Sequence, residues 1–324
     1  MDERVERSFV STGHLPREDV VRSLVDEAHR LYRQNTDGAV SSVYPALERA
    51  QPDLFGIAVA NVAGVVYATG DAEVEFAIMS VSKPFVFAVI CEAIGAEAAR
   101  EKLGTNATGY PFNSIEAVER SADGRTNPMV NPGAIAATSL APGATAEQKW
   151  AFLHDGLSAF AGRVLAVNED VYASASATNH RNRDLAALVA QRGNLYSSPA
   201  EATDLYTRQC SLNVTATDLA VMGATLANGG VNPRTSQRVV DAEVCHHTLA
   251  VMATSGLYET SGDWLWDVGL PGKSGIGGGI VTVSPGKGGL GTFAPRLDVA
   301  GNSVKGQFAA RHLSRALGLD LFAS

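Results

Sequence analysis

The stretch FAIMSVSKPFVFAVICEAI, residues 76–94, contains the pair Ser80 and Lys83 at the start of a long apolar run. Pro84 fits the first turn of a helix, and Ser80 or Ser82 is a candidate N-terminal cap, so we expect a helix to begin here. Residues three apart on a helix are rotated by about 300° and separated by about 4.5 Å along its axis. The Ser80 hydroxyl and the Lys83 amine are therefore expected on nearly the same face.

This Ser-x-x-Lys pattern has two interpretations. A serine hydroxyl becomes a nucleophile only when a base removes its proton, and a lysine kept neutral by burial is such a base. The alternative is a helix cap followed by a solvated lysine, which four letters alone do not exclude. Two features favour catalysis: Lys83 lies in an apolar run, where an unpaired charge is unexpected, and a Lys273-Ser274-Gly275 element precedes strand-like sequence downstream.

Composition limits the classes of function. The 324 residues carry a net charge of −8 with no basic stripe, which argues against binding to nucleic acids or to an anionic membrane. The first residues are charged, so we expect no signal peptide, and no apolar run reaches the roughly 20 residues that span a bilayer. Cys91, Cys210 and Cys245 are widely spaced, as is typical of thiols in a reducing compartment. We therefore expect a cytoplasmic protein.

Hydrophobic periodicity predicts the distribution of helices and strands. A helix over residues 17–35 precedes two β-rich runs joined around residues 61–64, as in a hairpin. Short β-branched runs broken by glycines from Trp264 to Pro295 indicate strands, and the segment from about 302 to 317 is again helical. The central ranges with helical periodicity are 146–161, 179–192, 199–210, 215–227 and 241–253.

The order of these elements predicts an α+β fold in a single domain, residues 1–324. We expect a sheet part at about 38–78 and 255–324, and a helical lobe at about 97–254. Within the lobe, SADGRTNPMVNPGAI is rich in Pro, Gly and Asn and is predicted to be irregular. Its Asn127 and Asn131 fit turn residues; the alternative is a side-chain amide held toward a ligand.

Three other features of the sequence are candidate sites. The glycines at 275 and 277–279 lack the spacing of a nucleotide-binding loop, so we expect close backbone approach there and, with the N–H of Ser80, an oxyanion hole. Cys245-His246-His247 are adjacent and poorly placed to share one metal ion. Tyr258 is either an ordinary half-buried tyrosine or, beside a lysine, a proton carrier with a lowered phenol pKa.

Several long stretches together resemble the serine-dependent glutaminase family, whose fold is like that of β-lactamases and penicillin-binding proteins. These stretches are SVSKPF, NPMVNPGAIA, HRNRDLA, LYTRQCSLNVTATDLAVMGATLANGGVNP, GLPGKSGIGGGI and LDVAGNSVKGQ, in one order from about Gly38 onward. The resemblance implies an antiparallel sheet flanked by helices, with a helical lobe. It also implies hydrolysis of L-glutamine to L-glutamate and ammonia, with no cofactor or metal, by a homodimer or homotetramer.

The resemblance assigns roles to individual residues. Ser80 would form an acyl-enzyme, Lys83 would activate it, and Tyr258 would carry a proton to the leaving ammonia and later help activate water. The N–H groups of Ser80 and Ile276 would form the oxyanion hole. The positions that match the family's substrate contacts are Ser80, Asn131, Asn182, Tyr206, Tyr258 and Ile276.

Three positions depart from the family pattern. Val43 stands where the family has tyrosine, Met79 where it has glutamine, and Ala175 where it has the glutamate that pairs with the substrate's α-ammonium. The nearest acids before it, Glu169 and Asp170, would need a different loop path. The departures imply that this chain handles free glutamine poorly. Two alternatives therefore stay open: a related serine amidohydrolase or esterase with another substrate, and a non-catalytic protein that binds a small molecule.

Overall fold

The structure is a computed structural model that describes residues 13–323. Residues 1–12, on which the signal-peptide expectation rests, lie outside the described residues. The helices are α1 (Glu18–Tyr32), α2 (Ser82–Ile94), α3 (Ala96–Lys102), α4 (Glu116–Glu119), α5 (Asn131–Ser139), α6 (Ala146–Ala161), α7 (Glu169–Thr178), α8 (His180–Gln191), α9 (Pro199–Cys210), α10 (Ala216–Ala227), α11 (Ala242–Ser255), α12 (Ser261–Val268) and α13 (Val304–Ala316). The strands are β1 (Ala39–Val40), β2 (Gly56–Asn61), β3 (Val66–Gly70), β4 (Phe76–Ala77), β5 (Asn213–Val214), β6 (Gly272–Ser274), β7 (Gly279–Ser284), β8 (Gly288–Phe293) and β9 (Arg296–Leu297).

The main sheet has five antiparallel strands in the order β3-β2-β8-β7-β6. Strands β2 and β3 form the predicted hairpin, and two-stranded ladders join β1 to β9 and β4 to β5. Early strands therefore pair with late ones, and the helices between them flank the sheet. This arrangement confirms the predicted α+β class.

The two faces of the sheet bury two different cores. Along β2, Ile57 and Val59 pack with α1 and α13, whereas Ala58 and Ala60 belong to the larger core that contains α2 and α10. Successive side chains of a strand point to opposite faces, so this alternation places helices on both sides of the sheet.

Strand β8 lies unusually close to α10 because it is rich in glycine. A Cβ at Gly289 would collide with the backbone of Ala220 and Ala224, and one at Gly291 would collide with the carbonyl of Ala216. The strand and the helix therefore pack backbone against backbone.

Helix α2 runs through the larger core, and its residues from Ser82 to Cys91 are buried. Within residues 13–323 no single helix is long and apolar enough to cross a membrane. One pair of helices, Met79–Ile94 and Ala96–Lys102, bent by 115° at the break between them, has the length and composition of a membrane span, but only these two properties support that interpretation. Helix α10, inside the range that we assigned to the helical lobe, packs on the main sheet. The division into a sheet part and a lobe remains a proposal.

Three local expectations were wrong. The segment from Trp264 begins not with a strand but within α12, because Trp264 and Val268 are four residues apart and both are buried. The exposed Trp266 lies between them. The segment predicted to be irregular gives way to α5 at Asn131, since Pro132 fits a first helical turn. Helix α7 was not predicted, because its small polar residues form no clear apolar stripe.

Candidate active site

A tight turn before α2 presents Ser80. Residues Met79–Val81 form a short 3-10 helix, and Met79 has φ 49°, a left-handed conformation that costs a non-glycine residue about 1–2 kcal/mol. The hydroxyl of Ser82 donates to the Met79 carbonyl at 2.8 Å and holds this turn. The expected serine cap was wrong, because Val81 occupies the N-cap position and no side chain caps α2.

Ser80 and Lys83 are in direct contact, as their spacing predicts. The Lys83 Nζ lies 3.0 Å from the Ser80 Oγ and 2.7 Å from the Asn131 Oδ1. Lys83 is 1% exposed, and burial lowers its pKa from 10.5 to about 7. Both of these partners are uncharged, so they do not hold the amine in its protonated form. Lys83 can therefore accept the Ser80 proton near neutral pH.

Asn131, the first residue of α5, connects the pair to the helical lobe. Its Oδ1 accepts hydrogen bonds from Lys83 Nζ and from the Tyr206 hydroxyl at 3.1 Å, and its Nδ2 donates to Asn182 Oδ1 at 2.8 Å. The fold thus brings Asn131, Asn182 and Tyr206 together with Ser80 and Lys83. Asn127 has a different place, because its Oδ1 accepts from the Met129 N–H within a turn.

Tyr258 also lies within hydrogen-bond distance of Ser80. It is buried, its hydroxyl donates to the Ser274 carbonyl at 3.2 Å, and Lys273 Nζ lies 4.1 Å from its ring centroid. Of the two interpretations, the half-buried tyrosine is wrong because the side chain is buried, and the lowered pKa of the other is wrong too: burial raises the Tyr258 pKa to about 12, although hydrogen bonds with Ser80 and Ser274 oppose this rise. The neutral phenol is suited to donate a proton. Like Met79, Tyr258 has a positive φ, here 59°.

The glycine-rich segment after β6 packs against the turn that carries Ser80. A Cβ at Gly275 would lie 3.2 Å from the Ser80 nitrogen and 3.0 Å from the Ile78 carbonyl oxygen. The adjacent Ile276 lines the same cavity as Ser80. Close backbone approach, which the glycines predict, is what the structure has here.

The cavity beside Ser80 has a volume of about 220 Å³. Ser80, Asn131, Asn182, Tyr206 and Ile276 line it, together with all three positions that depart from the family pattern. The remaining lining residues are Tyr44, Phe112, Asn113, Thr178, Asn179, Arg181, Thr207, Cys210 and Ser211.

The sequence did not identify Phe112 and Arg181 as site residues. The Phe112 ring lies 4.7 Å from that of Tyr258, and it comes from a coil with no periodic signal. Arg181, next to Asn182, donates from Nε to the Asn113 carbonyl at 2.9 Å. Arg181 directly precedes Asn182, a predicted substrate contact, and this was the one feature of the sequence that could have indicated its place in the site.

The Cys245-His246-His247 run lies on α11, outside the cavity lining. Within residues 13–323, no group of three or more His, Cys, Asp and Glu side chains is arranged to hold a metal ion.

Comparisons with known proteins agree on one family. The family model described as Glutaminase matches residues 38–322. The chain is 66% identical to Glutaminase 2 of Yersinia pestis over 98% of its own length and 93% of that protein, and 43% identical to a glutaminase of Colwellia psychrerythraea over 95% and 99%. Among solved structures, a probable glutaminase, ybaS, superposes with a TM-score of 0.94 at 40% identity, covering 95% of this chain and 100% of that one. A Bacillus glutaminase superposes with a TM-score of 0.84 at 31% identity, covering 93% and 99%.

Proposed function

The chain belongs to the glutaminase family, and from this premise we propose that it hydrolyses the side-chain amide of L-glutamine, releasing L-glutamate and ammonia through a covalent intermediate on Ser80. The observation that carries the mechanism is the 3.0 Å contact between Ser80 Oγ and the buried Lys83 Nζ. A neutral amine at this distance converts the hydroxyl into a nucleophile.

In the first half of the reaction, Lys83 takes the proton of Ser80 as its oxygen attacks the amide carbon. The N–H groups of Ser80 and Ile276 stabilise the negative charge on the amide oxygen. The neutral Tyr258 phenol donates its proton to the departing nitrogen, and ammonia leaves. Lys83 is then an ammonium and Tyr258 a phenolate, and both lie beside the acylated Ser80 oxygen.

In the second half, water attacks the acyl-enzyme. Tyr258 accepts a proton from the water as its oxygen attacks the acyl carbon, and Lys83 returns its proton to the Ser80 oxygen as the bond to the acyl group breaks. The product leaves as a carboxylic acid, which loses its proton to the solvent. Each proton that leaves a side chain is thus restored within one cycle. Asn131, Asn182 and Tyr206 hold the other end of the substrate.

The test is ammonia release from L-glutamine by wild type and by Ser80→Ala, with Ser284→Ala as the matched control. Ser284 is also buried, but its hydroxyl binds the Leu319 carbonyl away from the cavity. We expect Ser80→Ala to lose at least about a thousandfold in kcat, as when a nucleophile is removed, and Ser284→Ala to retain turnover. Near-normal turnover by a folded Ser80→Ala would refute the mechanism.

We further propose that the protein is cytoplasmic and assembles as a homodimer or homotetramer. The location is supported by three buried cysteines that carry free thiols, Cys91, Cys210 and Cys245. The assembly is supported by the resemblance to the family alone. Light scattering on the purified protein measures its oligomeric state.

A further inference from the structure

The cavity beside Ser80 is lined by one charged side chain, that of Arg181, and by no aspartate or glutamate among the described residues. Lys83 and Lys273, buried beside Ser80 and Tyr258, supply no negative charge either. An incoming ammonium group therefore meets repulsion rather than an ion pair.

Three amide oxygens of the cavity already accept hydrogen bonds. Asn131 Oδ1 accepts from Lys83 and Tyr206, Asn182 Oδ1 accepts from Asn131, and Asn179 Oδ1 accepts from the Tyr44 hydroxyl at 3.4 Å. These oxygens are uncharged, so an ammonium that binds them gains hydrogen bonds but no ion pair. Removing a charge from water without an opposite partner is among the larger costs in binding.

Ala175 occupies the apolar part of this lining. It is 2% exposed and packs in one cluster with Tyr44, Met79, Tyr206 and Ile276. This apolar part of the cavity lining suits an uncharged substituent on the substrate. Arg181 at the same cavity offers a guanidinium, the group best shaped to pair with a carboxylate.

We propose that the site prefers primary amides that end in a carboxylate and carry no cationic amine on the α-carbon. Glutaramate, the monoamide of glutaric acid, is the simplest member of this class: it has the amide, chain length and carboxylate of glutamine and lacks only the ammonium. The inference rests on the proposed amide hydrolysis at Ser80 and specifies which amide reacts best.

The experiment compares kcat/KM for glutaramate and L-glutamine by ammonia release from the full-length wild type. We expect glutaramate to be favoured by at least tenfold. Ala175→Glu should raise kcat/KM for glutamine by roughly ten- to two-hundredfold over Ala175→Gln, because the two side chains match in size and only one is charged. The wild-type comparison requires no variant and so remains decisive if a larger residue at 175 prevents folding.

One carboxylate outside the lining is a rival partner for an ammonium. Glu116 accepts from the Ser114 hydroxyl at 2.6 Å, and this hydrogen bond, together with a smaller effect of Arg181, lowers its pKa. If Glu116 served glutamine, Glu116→Gln would lower kcat/KM for glutamine and leave that for glutaramate unchanged. We expect no such difference.

The outcomes separate the two proposals. A wild type that prefers glutamine, or a glutamine-specific loss in Glu116→Gln, overturns the substrate preference and leaves hydrolysis at Ser80 intact. Release of ammonia from neither amide overturns the proposed function itself. A preference for glutaramate that is lost in Ser80→Ala supports both.

Discussion

Replacing Lys83 with methionine should abolish turnover and change how stability depends on pH. Burial lowers the Lys83 pKa from 10.5 to about 7, so between these values the unfolded chain binds more protons than the folded one. The stability of the wild type therefore increases with pH across this window, and the full cost of burying the amine is present below pH 7. Methionine fills a similar volume and does not titrate.

The size of the Lys83 pKa shift determines how much the free energy of unfolding changes with pH. With a folded pKa of about 7, the burial of Lys83 costs about 4 kcal/mol at pH 7 and about 2 kcal/mol at pH 9. The variant also loses the hydrogen bonds to Ser80 and Asn131, at about 1–3 kcal/mol, but this loss does not follow the lysine titration. The stability of Lys83→Met relative to wild type should therefore fall by about 2 kcal/mol between pH 7 and pH 9.

Urea unfolding of both proteins at the two pH values measures this difference. Lys273 is present in both proteins, but the Lys83 charge is one cause of its lowered pKa. Lys83→Met therefore also lessens the lowering of the Lys273 pKa, which changes the relative stability in the same direction. Lys102→Met on α3 controls for the loss of a lysine outside the core. A relative stability that stays constant, or that moves in favour of the variant at pH 9, would show that Lys83 is not held with a lowered pKa.

Two further predictions concern the proton path. Wild-type kcat/KM should rise with pH through about 7, where Lys83 becomes neutral, and Lys83→Arg should be nearly inactive because a guanidinium stays protonated; an active variant with the wild-type profile would contradict the base role. Tyr258→Phe should lower kcat at least about a hundredfold with KM changed only a few-fold, and a loss confined to KM would instead assign Tyr258 to binding.

The sequence was informative where local pattern and chemistry coincide. Ser80 and Lys83 could be paired because helical geometry fixes the distance between residues three apart. The glycines around Gly275 could be assigned to close backbone approach because only glycine leaves room for a neighbouring chain. Both conclusions depend only on residues that are close together in the sequence.

Features that depend on distant contacts were harder to predict. The Tyr258 pKa is raised, not lowered as the proton-carrier interpretation supposed, because burial outweighs the hydrogen bonds with Ser80 and Ser274. Phe112 reaches the cavity from a coil whose path is set by its neighbours in space. Asn131 looked like a turn residue because Asn-Pro-Gly also occurs in turns, and its contact with Lys83 joins residues 48 positions apart. Local composition carries no record of such contacts.

The backbone contact between β8 and α10 has a consequence for how this protein can diverge. Most helix–sheet interfaces absorb a substitution on one side by a compensating change on the other, since side chains of both share the space. The atoms nearest to Gly289 and Gly291 belong to the main chain of the helix, and a substitution in the helix cannot remove main-chain atoms to make room. Descendants that keep this helix at its present distance must therefore keep both glycines, whereas any lineage that loses them has to move the helix first.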